Sequence, residues 1–245
     1  MKVYKKGDDI SYTLGVFPTI ELLKVHPHVV TRVVVHSTIE KNKGYPLIQK
    51  LCKQHHIPVE VHDKTIDKLS PKNNCFAIGV FKTYQSQVDE GNHVVLVNPM
   101  DMGNMGTIMR TMLGFEYQNL IIVRPAVDIF DPKVIRASMG AIFHLNIEYY
   151  DTFQDYYQKY KEREYYPLML KGAKNIHQVT TNQIHSLIFG NESSGLEDKY
   201  LEYGQSVFIP HSDDIDSLNL SMALGLTLFH FSENKFIEKE VLRHV

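Results

Sequence analysis

The sequence predicts an α/β protein with a mainly parallel sheet, and three observations lead to that class. Short runs rich in β-branched residues alternate with segments of helical periodicity along most of the chain. Polar, glycine-containing loops follow several of the apolar runs, as they do at the carboxyl ends of parallel strands. The composition is globular, with 43% hydrophobic and 22% charged residues among 245, so the chain can bury a large core.

Residues 1–82 predict a small unit of interleaved helices and strands. Pro46 suits the first turn of one of its helices. The polar stretch 83–92 shows no period and ends in Gly91 and Asn92, which predicts a linker between domains. The expected elements of the unit are helices over 17–24 and 46–56 and strands over 32–36, 58–62 and 75–81.

Residues 93–245 predict a second domain in which strands alternate with helices. Asp131 and Pro132 give one helix a capping residue and a first-turn proline. The segment 218–231 is apolar on most faces, which predicts a well-buried helix. The expected strands cover 93–98, 120–125, 167–171, 186–190 and 206–210, and the expected helices cover 105–115, 131–140, 152–163 and 218–231.

Charge is unevenly distributed although the net charge is only −2. Residues 1–82 contain 13 Lys and Arg against 7 Asp and Glu, whereas residues 83–245 contain 13 against 21. A basic first third beside an acidic remainder is typical of a module that docks on a polyanion. A solvated surface without a partner is the alternative interpretation.

Several function classes lack their sequence signals. The sequence shows no apolar signal region, no run long enough to span a membrane, and only two cysteines, Cys52 and Cys75, which suit a reducing cytoplasm. Phosphate-loop, Rossmann and hydrolase-elbow motifs are missing. The acidic loop around Asp213 and Asp216 meets no metal-ligand spacing, so no metal is expected.

Three polar loops follow predicted strands, over 98–110, 190–196 and 209–221. Because carboxyl ends of parallel strands lie at one edge of a sheet, these loops can converge on one pocket. Their residues follow the patterns P-x-D-x-G-N-x-G-x-x-x-R, then G-N-E-x-x-G-L, then I-P and S-L-N-L-S-x-A. In this order, and with RASMGA at 136–141 between the first two, the patterns resemble the SpoU–TrmH family of the SPOUT superfamily.

The resemblance implies a ribose 2′-O-methyltransferase that acts on RNA with S-adenosylmethionine as cofactor. It further implies a C-terminal trefoil knot, a homodimer with the cofactor pocket near its interface, and an L30e-like RNA-binding domain over residues 1–82. The methyltransferase domain would then cover 93–245, with residues 83–92 as the linker. A structured ribosomal RNA, such as 23S, is preferred to transfer RNA as substrate because of the N-terminal module.

The family's cofactor contacts, carried over by position, fall on the three loops and are made mainly by the backbone. Gly190 would allow a close backbone approach, although a simple strand-to-turn function also explains a glycine there. The cofactor-binding residues that the resemblance implies are Leu187, Ile188, Gly190, Asn191, Ile209, Pro210, Ser217 and Leu218.

The catalytic residues implied in the same way are Asn104, Arg110, Glu192, Ser217 and Asn219. Arg110 would bind the adjacent phosphate or a developing alkoxide, because a guanidinium rarely gives up its proton. Asn104 would orient Arg110 or the ribose, and Glu192 would accept hydrogen bonds from loop N–H groups or Arg110, or act as the base. Asn219 would face the substrate, cap the last helix, or do both.

Two other hypotheses stay open at this stage. A non-catalytic RNA-binding protein could retain the knotted fold, but the presence of all five catalytic positions speaks against it. A cofactor-binding enzyme with a substrate other than RNA is disfavoured by the basic N-terminal third.

Overall fold

The computed structural model describes residues 1–70 and 74–236 as two β-sheets flanked by helices, with a two-stranded sheet beside the larger one. The first sheet has the order β1-β4-β2-β3, in which only the β2–β3 pair is parallel. The elements of this unit are β1 (Ile10–Tyr12), α1 (Val16–Val25), β2 (Val30–Val35), α2 (Tyr45–Gln54), β3 (Val59–Val61), α3 (Asp63–Leu69) and β4 (Ala77–Lys82).

The second sheet has five parallel strands in the order β7-β6-β5-β10-β8, which confirms the predicted class. The strands of this part are β5 (His93–Val97), β6 (Asn119–Val123), β7 (Asn146–Tyr150), β8 (Glu164–Pro167), β9 (Lys174–Asn175), β10 (His185–Phe189) and β11 (Val207–Phe208). The helices are α4 (Met102–Gly114), α5 (Pro132–Ala137), α6 (Phe153–Lys159) and α7 (Leu220–Phe236).

The central strands are buried on both faces, as strands of a sheet covered by helices must be. Every residue of β5, β6 and β10 is buried. Asp131 caps α5 by accepting a hydrogen bond from the N–H of Lys133 at 2.8 Å, and Pro132 opens that helix, as predicted. The strand pairings do not trace a crossing of the chain, so the trefoil knot stays a prediction.

Two expected elements differ from the structure. The predicted strand over 167–171 ends at Pro167, because the N–H of Met169 bonds to the carbonyl of Val207 instead of continuing along β10. The prediction of a well-buried last helix is wrong for one face of α7, where Met222, Leu226 and Phe229 are 58%, 42% and 61% exposed. An apolar pattern identifies a surface that avoids water but does not say what covers it.

The two sheets share packing across the predicted domain boundary. Leu22 of α1 and Phe81 of β4 belong to the same buried cluster as the core of the five-stranded sheet. Separate domains over 1–82 and 93–245 therefore stay a prediction, and the L30e-like assignment of the first stays one too. In the described part of the chain, no helix is long and apolar enough to cross a bilayer.

Candidate active site

The carboxylate of Glu192 joins the loop after β10 to the loop after β5. These two strands are parallel neighbours, so their carboxyl ends lie side by side. Oε2 of Glu192 accepts the N–H of Met100 at 3.2 Å, and Oε1 accepts the N–H of Asp101 at 3.1 Å. Both oxygens thus make hydrogen bonds of the charge-assisted kind, which are stronger than neutral ones. This arrangement gives Glu192 a positioning function for the first loop.

Asn191 makes a second connection between the same loops. Its Nδ2 donates to the carbonyl of Asn98 at 2.7 Å, while its Oδ1 accepts the N–H of Ser193 at 2.9 Å. Asn98 has a φ of 52°, in the left-handed region that asparagine tolerates better than most residues. The Asn191 amide therefore fixes both a tight turn of its own loop and the strained start of the first loop.

Asn104 and Asn219 connect the first loop to the third. The backbone N–H of Asn104 donates to the capping carboxylate of Asp101 at 2.6 Å. The side-chain Oδ1 of Asn104 accepts a hydrogen bond from Nδ2 of Asn219 at 3.2 Å. Oδ1 of Asn219 accepts the N–H groups of Ser221 at 3.0 Å and Met222 at 3.3 Å. Asn219 is consequently the cap of α7 and a partner of Asn104, while its contact with the substrate stays a prediction.

A cleft of about 450 Å³ opens between these loops. Of the predicted site residues, those in its wall are Gly190, Asn191, Glu192, Ile209, Ser217 and Leu218. Leu187 and Ile188 lie outside the described lining, because they are fully buried in the middle of β10, and Pro210 lies outside it as well. The third loop follows β11, which belongs to the small sheet and not to the five-stranded one.

One wall of the cleft, residues 168–171, was missed by the sequence reasoning. The sequence predicts a strand over 167–171, although Pro167 followed by apolar residues and then Gly172 indicates that this strand can end early. Lys171 in this wall forms an ion pair with Asp198, which also lines the cleft. The charged lining therefore consists of this lysine and three carboxylates, those of Glu192, Asp198 and Asp216.

Gly190 is required by its own loop. A Cβ atom at this position would lie 2.1 Å from the carbonyl carbon and 2.3 Å from the oxygen of Gly195. The loop closes back on itself there, since the N–H of Gly195 donates to the carbonyl of Asn191 at 2.9 Å. The backbone that approaches Gly190 closely is that of Gly195 and Leu196. The close approach to the cofactor stays a prediction.

Arg110 stands apart from the cleft of its own chain. It lies six residues after Asn104 on α4, which corresponds to a rotation of about 120° and a rise of about 9 Å. Its side chain is exposed, and no hydrogen bond or ion pair joins it to the residues described. The expected contacts of Arg110 with Glu192 and Asn104 are thus not formed within one chain.

Metal ligands are not grouped at this site or elsewhere in the described part of the chain, where no cluster of three or more His, Cys, Asp or Glu could hold an ion. His211 lines the cleft, and its Nδ1 lies 2.8 Å from the carbonyl of Ile209. The chemistry that the site offers is therefore hydrogen bonding from loop backbone, amides and hydroxyls, together with the charges of its walls.

A family model described as the SpoU rRNA Methylase family matches residues 91–229 of the chain. A putative tRNA (cytidine(34)-2′-O)-methyltransferase from Listeria monocytogenes is 32% identical over 144 residues, which are 56% of this chain and 85% of the relative. The 23S rRNA (adenosine(1067)-2′-O)-methyltransferase of Streptomyces azureus is 28% identical over 190 residues, covering 73% of this chain and 71% of the relative.

The fold is also that of a solved structure. The AdoMet-bound rRNA methyltransferase from Sinorhizobium meliloti superposes with a TM-score of 0.78 at 22% identity, over 93% of this chain and 88% of the other. This likeness confirms the α/β architecture. Since the family model spans more than half of the residues, including all three loops that surround the cleft, the chain belongs to the SpoU rRNA Methylase family.

Proposed function

We propose that this protein transfers a methyl group from S-adenosylmethionine to a ribose 2′-hydroxyl of a structured RNA. The observation that carries the proposal is the convergence of the three loops. Glu192 joins the second loop to the first, and Asn219 joins the third loop to Asn104 of the first, at the start of α4. The named activity of the Listeria relative, a 2′-O-methyltransferase, and that of the Streptomyces relative support the reaction class.

The cleft suits this cofactor in size and chemistry. Its volume of about 450 Å³ lies within the range of about 300–1,000 Å³ that is usual for small-molecule sites. Ile209 and Leu218 offer apolar surface for an adenine, and the loop backbone around Asn191 offers hydrogen-bonding groups. When bound, S-adenosylmethionine supplies a methyl group that its positively charged sulfonium activates, and the carboxylate of Asp216 in the wall complements that charge.

The protein's own contribution is alignment, since the activated methyl needs a hydroxyl in line with it. Ser217 lines the cleft, and its proposed function is to hold the ribose together with the amides of Asn104 and Asn219, which are bonded to each other. Glu192 acts through the loop that it fixes, because both of its oxygens already accept backbone N–H groups. Arg110 supplies positive charge for the phosphate or for the developing alkoxide.

A homodimer explains the position of Arg110. Met222, Leu226 and Phe229 form an exposed apolar stripe on α7, the helix that packs against α4. A second copy that covers this stripe would also bury the neighbouring outer face of α4, and Arg110 could then reach the cleft of the partner subunit. Exposed stripes of this kind mark association sites.

The N-terminal unit is proposed to bind the RNA backbone. Residues 41–59 contain four lysines and no carboxylate, and these lysines, Lys41, Lys43, Lys50 and Lys53, are all exposed on or next to α2. No ion pair joins them to residues of the described ranges. Exposed lysines without an ion-pair partner are suited to phosphate contacts.

A ribosomal substrate is preferred to transfer RNA. The match to the Streptomyces 23S enzyme covers 73% of this chain, which is more than the 153 of 245 residues from 93 to 245 can account for, so it extends into the N-terminal unit. The match to the Listeria tRNA enzyme spans 144 residues and already accounts for 85% of that relative. A cytoplasmic location accompanies this substrate as a prediction.

Transfer of labelled methyl from S-adenosylmethionine to RNA tests the proposal. Ribosomal and transfer RNA pools would come from a strain that lacks the enzyme, and Arg110→Ala would be compared with Lys159→Ala, a lysine whose ion pair with Glu148 lies away from the cleft. We expect label in an alkali-resistant dinucleotide of the ribosomal pool, its loss in Arg110→Ala, and its retention in Lys159→Ala. Cofactor binding without label in either pool would point to an assembling ribosomal particle as the substrate, whereas the absence of both label and cofactor binding would favour a non-catalytic RNA-binding protein.

A further inference from the structure

Residues 136–144, which we call the docking segment, hold the N-terminal unit against the methyltransferase part. Nη2 of Arg136 donates to Oδ1 of Asn74 at 2.8 Å, and Nε2 of His144 lies 2.8 Å from Oε2 of Glu21. Gly140, with a φ of 84°, sits so close to α1 that a Cβ atom would lie 2.9 Å from the Cβ of Glu21. The segment therefore follows the surface of the N-terminal unit over its whole length.

Aromatic packing makes this contact part of the core. Phe81 of β4 is fully buried, and its ring lies 5.6 Å from that of Phe143 in the docking segment and 5.9 Å from that of Phe130, both edge to face. Domains that move relative to each other usually meet through smaller and more polar interfaces. A shared aromatic core indicates one fixed arrangement.

The docking segment also touches the helix that carries the candidate catalytic residues. Gly106 of α4 faces Ala137 so closely that a Cβ atom on it would lie 2.3 Å from the Cβ of Ala137. Asn104 and Arg110 lie on this same helix. The docking segment is thus packed between α4 on one side and the N-terminal unit on the other.

A second attachment lies at the carboxyl end of β6. The hydroxyl of Tyr4 donates to Oδ2 of Asp128 at 2.6 Å, and the hydroxyl of Ser11 donates to the carbonyl of Phe130. The same loop reaches the first site loop, because the N–H of Val127 donates to the carbonyl of Pro99 at 2.9 Å. The N-terminal unit is therefore connected to the surroundings of the cleft by two independent routes.

The predicted linker is bound along its path. Ser86 pairs with Ile147 at the edge of the five-stranded sheet, donating through Oγ to its carbonyl at 3.0 Å and accepting its N–H at 2.8 Å. Asp89 accepts Nδ2 of Asn119 at 2.6 Å. A segment held in this way is a fixed connection and not a free tether.

We infer that the N-terminal unit is a rigid gauge for the RNA. The docking segment and Asp128 hold the unit at one distance and angle from the cleft, and the unit therefore selects RNA by the separation of its two contact points. The inference rests on the proposed function and deepens it by specifying the substrate class. An RNA that contacts the lysines of α2 and the cleft together must present both points at a fixed separation. The substrate is accordingly a folded RNA with tertiary structure, and Arg136, Asp128 and His144 are positioning residues.

The arrangement itself can be measured without any RNA. Spin labels at Gln54→Cys and Glu162→Cys, with the labelled chain diluted by unlabelled protein, report the distance between the two parts by pulsed electron resonance. The native Cys52 and Cys75 are 2% and 5% exposed, so labelling is selective. We expect one narrow distance in the parent protein. A broad or double distribution in the parent would overturn the inference.

Two variants loosen the attachment in different ways. Combining Tyr4→Phe, Arg136→Ala and His144→Ala removes polar contacts, whereas Gly140→Val forces a branched side chain against Pro18 and Glu21. The matched control combines Lys159→Ala with Tyr203→Phe, which removes contacts within the methyltransferase part. We expect the distribution to widen in at least one loosened variant and not in the control. Narrow distances in both would show that the docking segment is not what holds the unit.

Methyl-transfer kinetics test the gauge function. For a loosened variant whose cofactor affinity equals that of the parent, we expect KM for the RNA pool to rise severalfold while kcat at saturating RNA changes little. An unchanged KM despite a wider distance distribution would refute the gauge. Absence of methyl transfer by the parent would instead contradict the proposed reaction, and the spin-label distances would still decide whether the unit is rigid.

Discussion

Asn219 donates from Nδ2 to Oδ1 of Asn104 at 3.2 Å, joining the starts of two helices that lie 115 residues apart in the chain. Because Oδ1 of Asn219 is used for capping α7, this side chain performs two tasks with its two polar atoms. The tasks can be separated by substitution, since an aspartate retains the acceptor and loses the donor.

Asn219→Asp is therefore expected to keep the stability of the protein and lose methyl transfer. An aspartate caps a helix as well as asparagine does, so the free energy of unfolding should change by less than about 0.5 kcal/mol. The carboxylate cannot donate to Oδ1 of Asn104, so the contact can persist only if the Asn104 amide turns to present its N–H₂ group, which changes the groups offered to the ribose. Asn219→Ala should in contrast lower the stability by about 1 kcal/mol through loss of the cap. Denaturant unfolding beside a methyl-transfer assay distinguishes the two, and normal activity of Asn219→Asp would exclude the amide contact as a catalytic requirement.

Glu192→Gln tests whether this carboxylate positions the first loop or takes a proton. A glutamine offers one neutral oxygen in place of two charged ones, so the N–H groups of Met100 and Asp101 both lose their charged partner and one of them loses its acceptor. We expect a loss of about 1.5–3 kcal/mol in the free energy of unfolding and weaker cofactor binding.

The pH dependence of the residual activity supplies the decisive measurement for Glu192. If the residue only positions the loop, the shape of the pH–rate profile should be the same in Glu192→Gln and the parent. Loss of one limb of the profile at unchanged stability and cofactor affinity would identify Glu192 as the general base.

Gly190→Ala should damage the loop before any ligand is present. The new methyl group would lie 2.1 Å from a backbone carbon, which no side-chain rotation can relieve, so the loop from 190 to 196 must shift. We expect a loss of about 1–3 kcal/mol in stability together with loss of cofactor binding. Gly114→Ala is the matched control, because a Cβ atom there has no neighbour within 4 Å. Calorimetric titration and thermal unfolding of both variants check this, and an unaffected Gly190→Ala protein would contradict the described loop.

Much of the architecture was predictable because it follows from local patterns. Buried parallel strands such as β5 and β6 are apolar runs after a single polar first residue, and Asp131 with Pro132 marks a helix start by capping chemistry alone. The three site loops were identifiable since polar and glycine residues interrupt apolar strands at those points. The strand β7 was missed because NIEYY mixes polar and aromatic residues without clear alternation.

What could not be predicted depends on contacts between distant residues. Residues 168–171 resemble a strand locally, but hydrogen bonding to Val207 turns them into a cleft wall. The partner of Gly190, the backbone of Gly195, becomes visible only when the loop closes. The exposed stripe on α7 has the same composition as a core-facing one, so the pattern alone did not distinguish the two.

His93 makes the stability of the protein depend on pH. Its ring is fully buried between Tyr156, whose hydroxyl lies 2.9 Å from Nδ1, and the carbonyl of Asp89, 2.7 Å from Nε2. Burial lowers the pKa of His93 from its ordinary value of 6.5 to about 4. As the pH falls, the unfolded chain therefore binds a proton at this histidine before the folded chain does. The contribution of His93 to the free energy of unfolding is consequently fully present above pH 6.5 and is lost as the pH falls toward 4.

The expected loss from His93 between neutral pH and pH 4 is about 3 kcal/mol in the free energy of unfolding. Urea unfolding across this range, with His93→Gln beside the parent, isolates the effect from that of the carboxylates. The destabilisation caused by His93→Gln should shrink by about 3 kcal/mol as the pH falls, since glutamine binds no proton. The exposed His28→Gln serves as the control for the exchange of a histidine for a glutamine. If the free energy of unfolding depended on pH in the same way in the parent and in His93→Gln, the pKa of His93 would be the same in the folded and the unfolded chain, which would contradict the prediction.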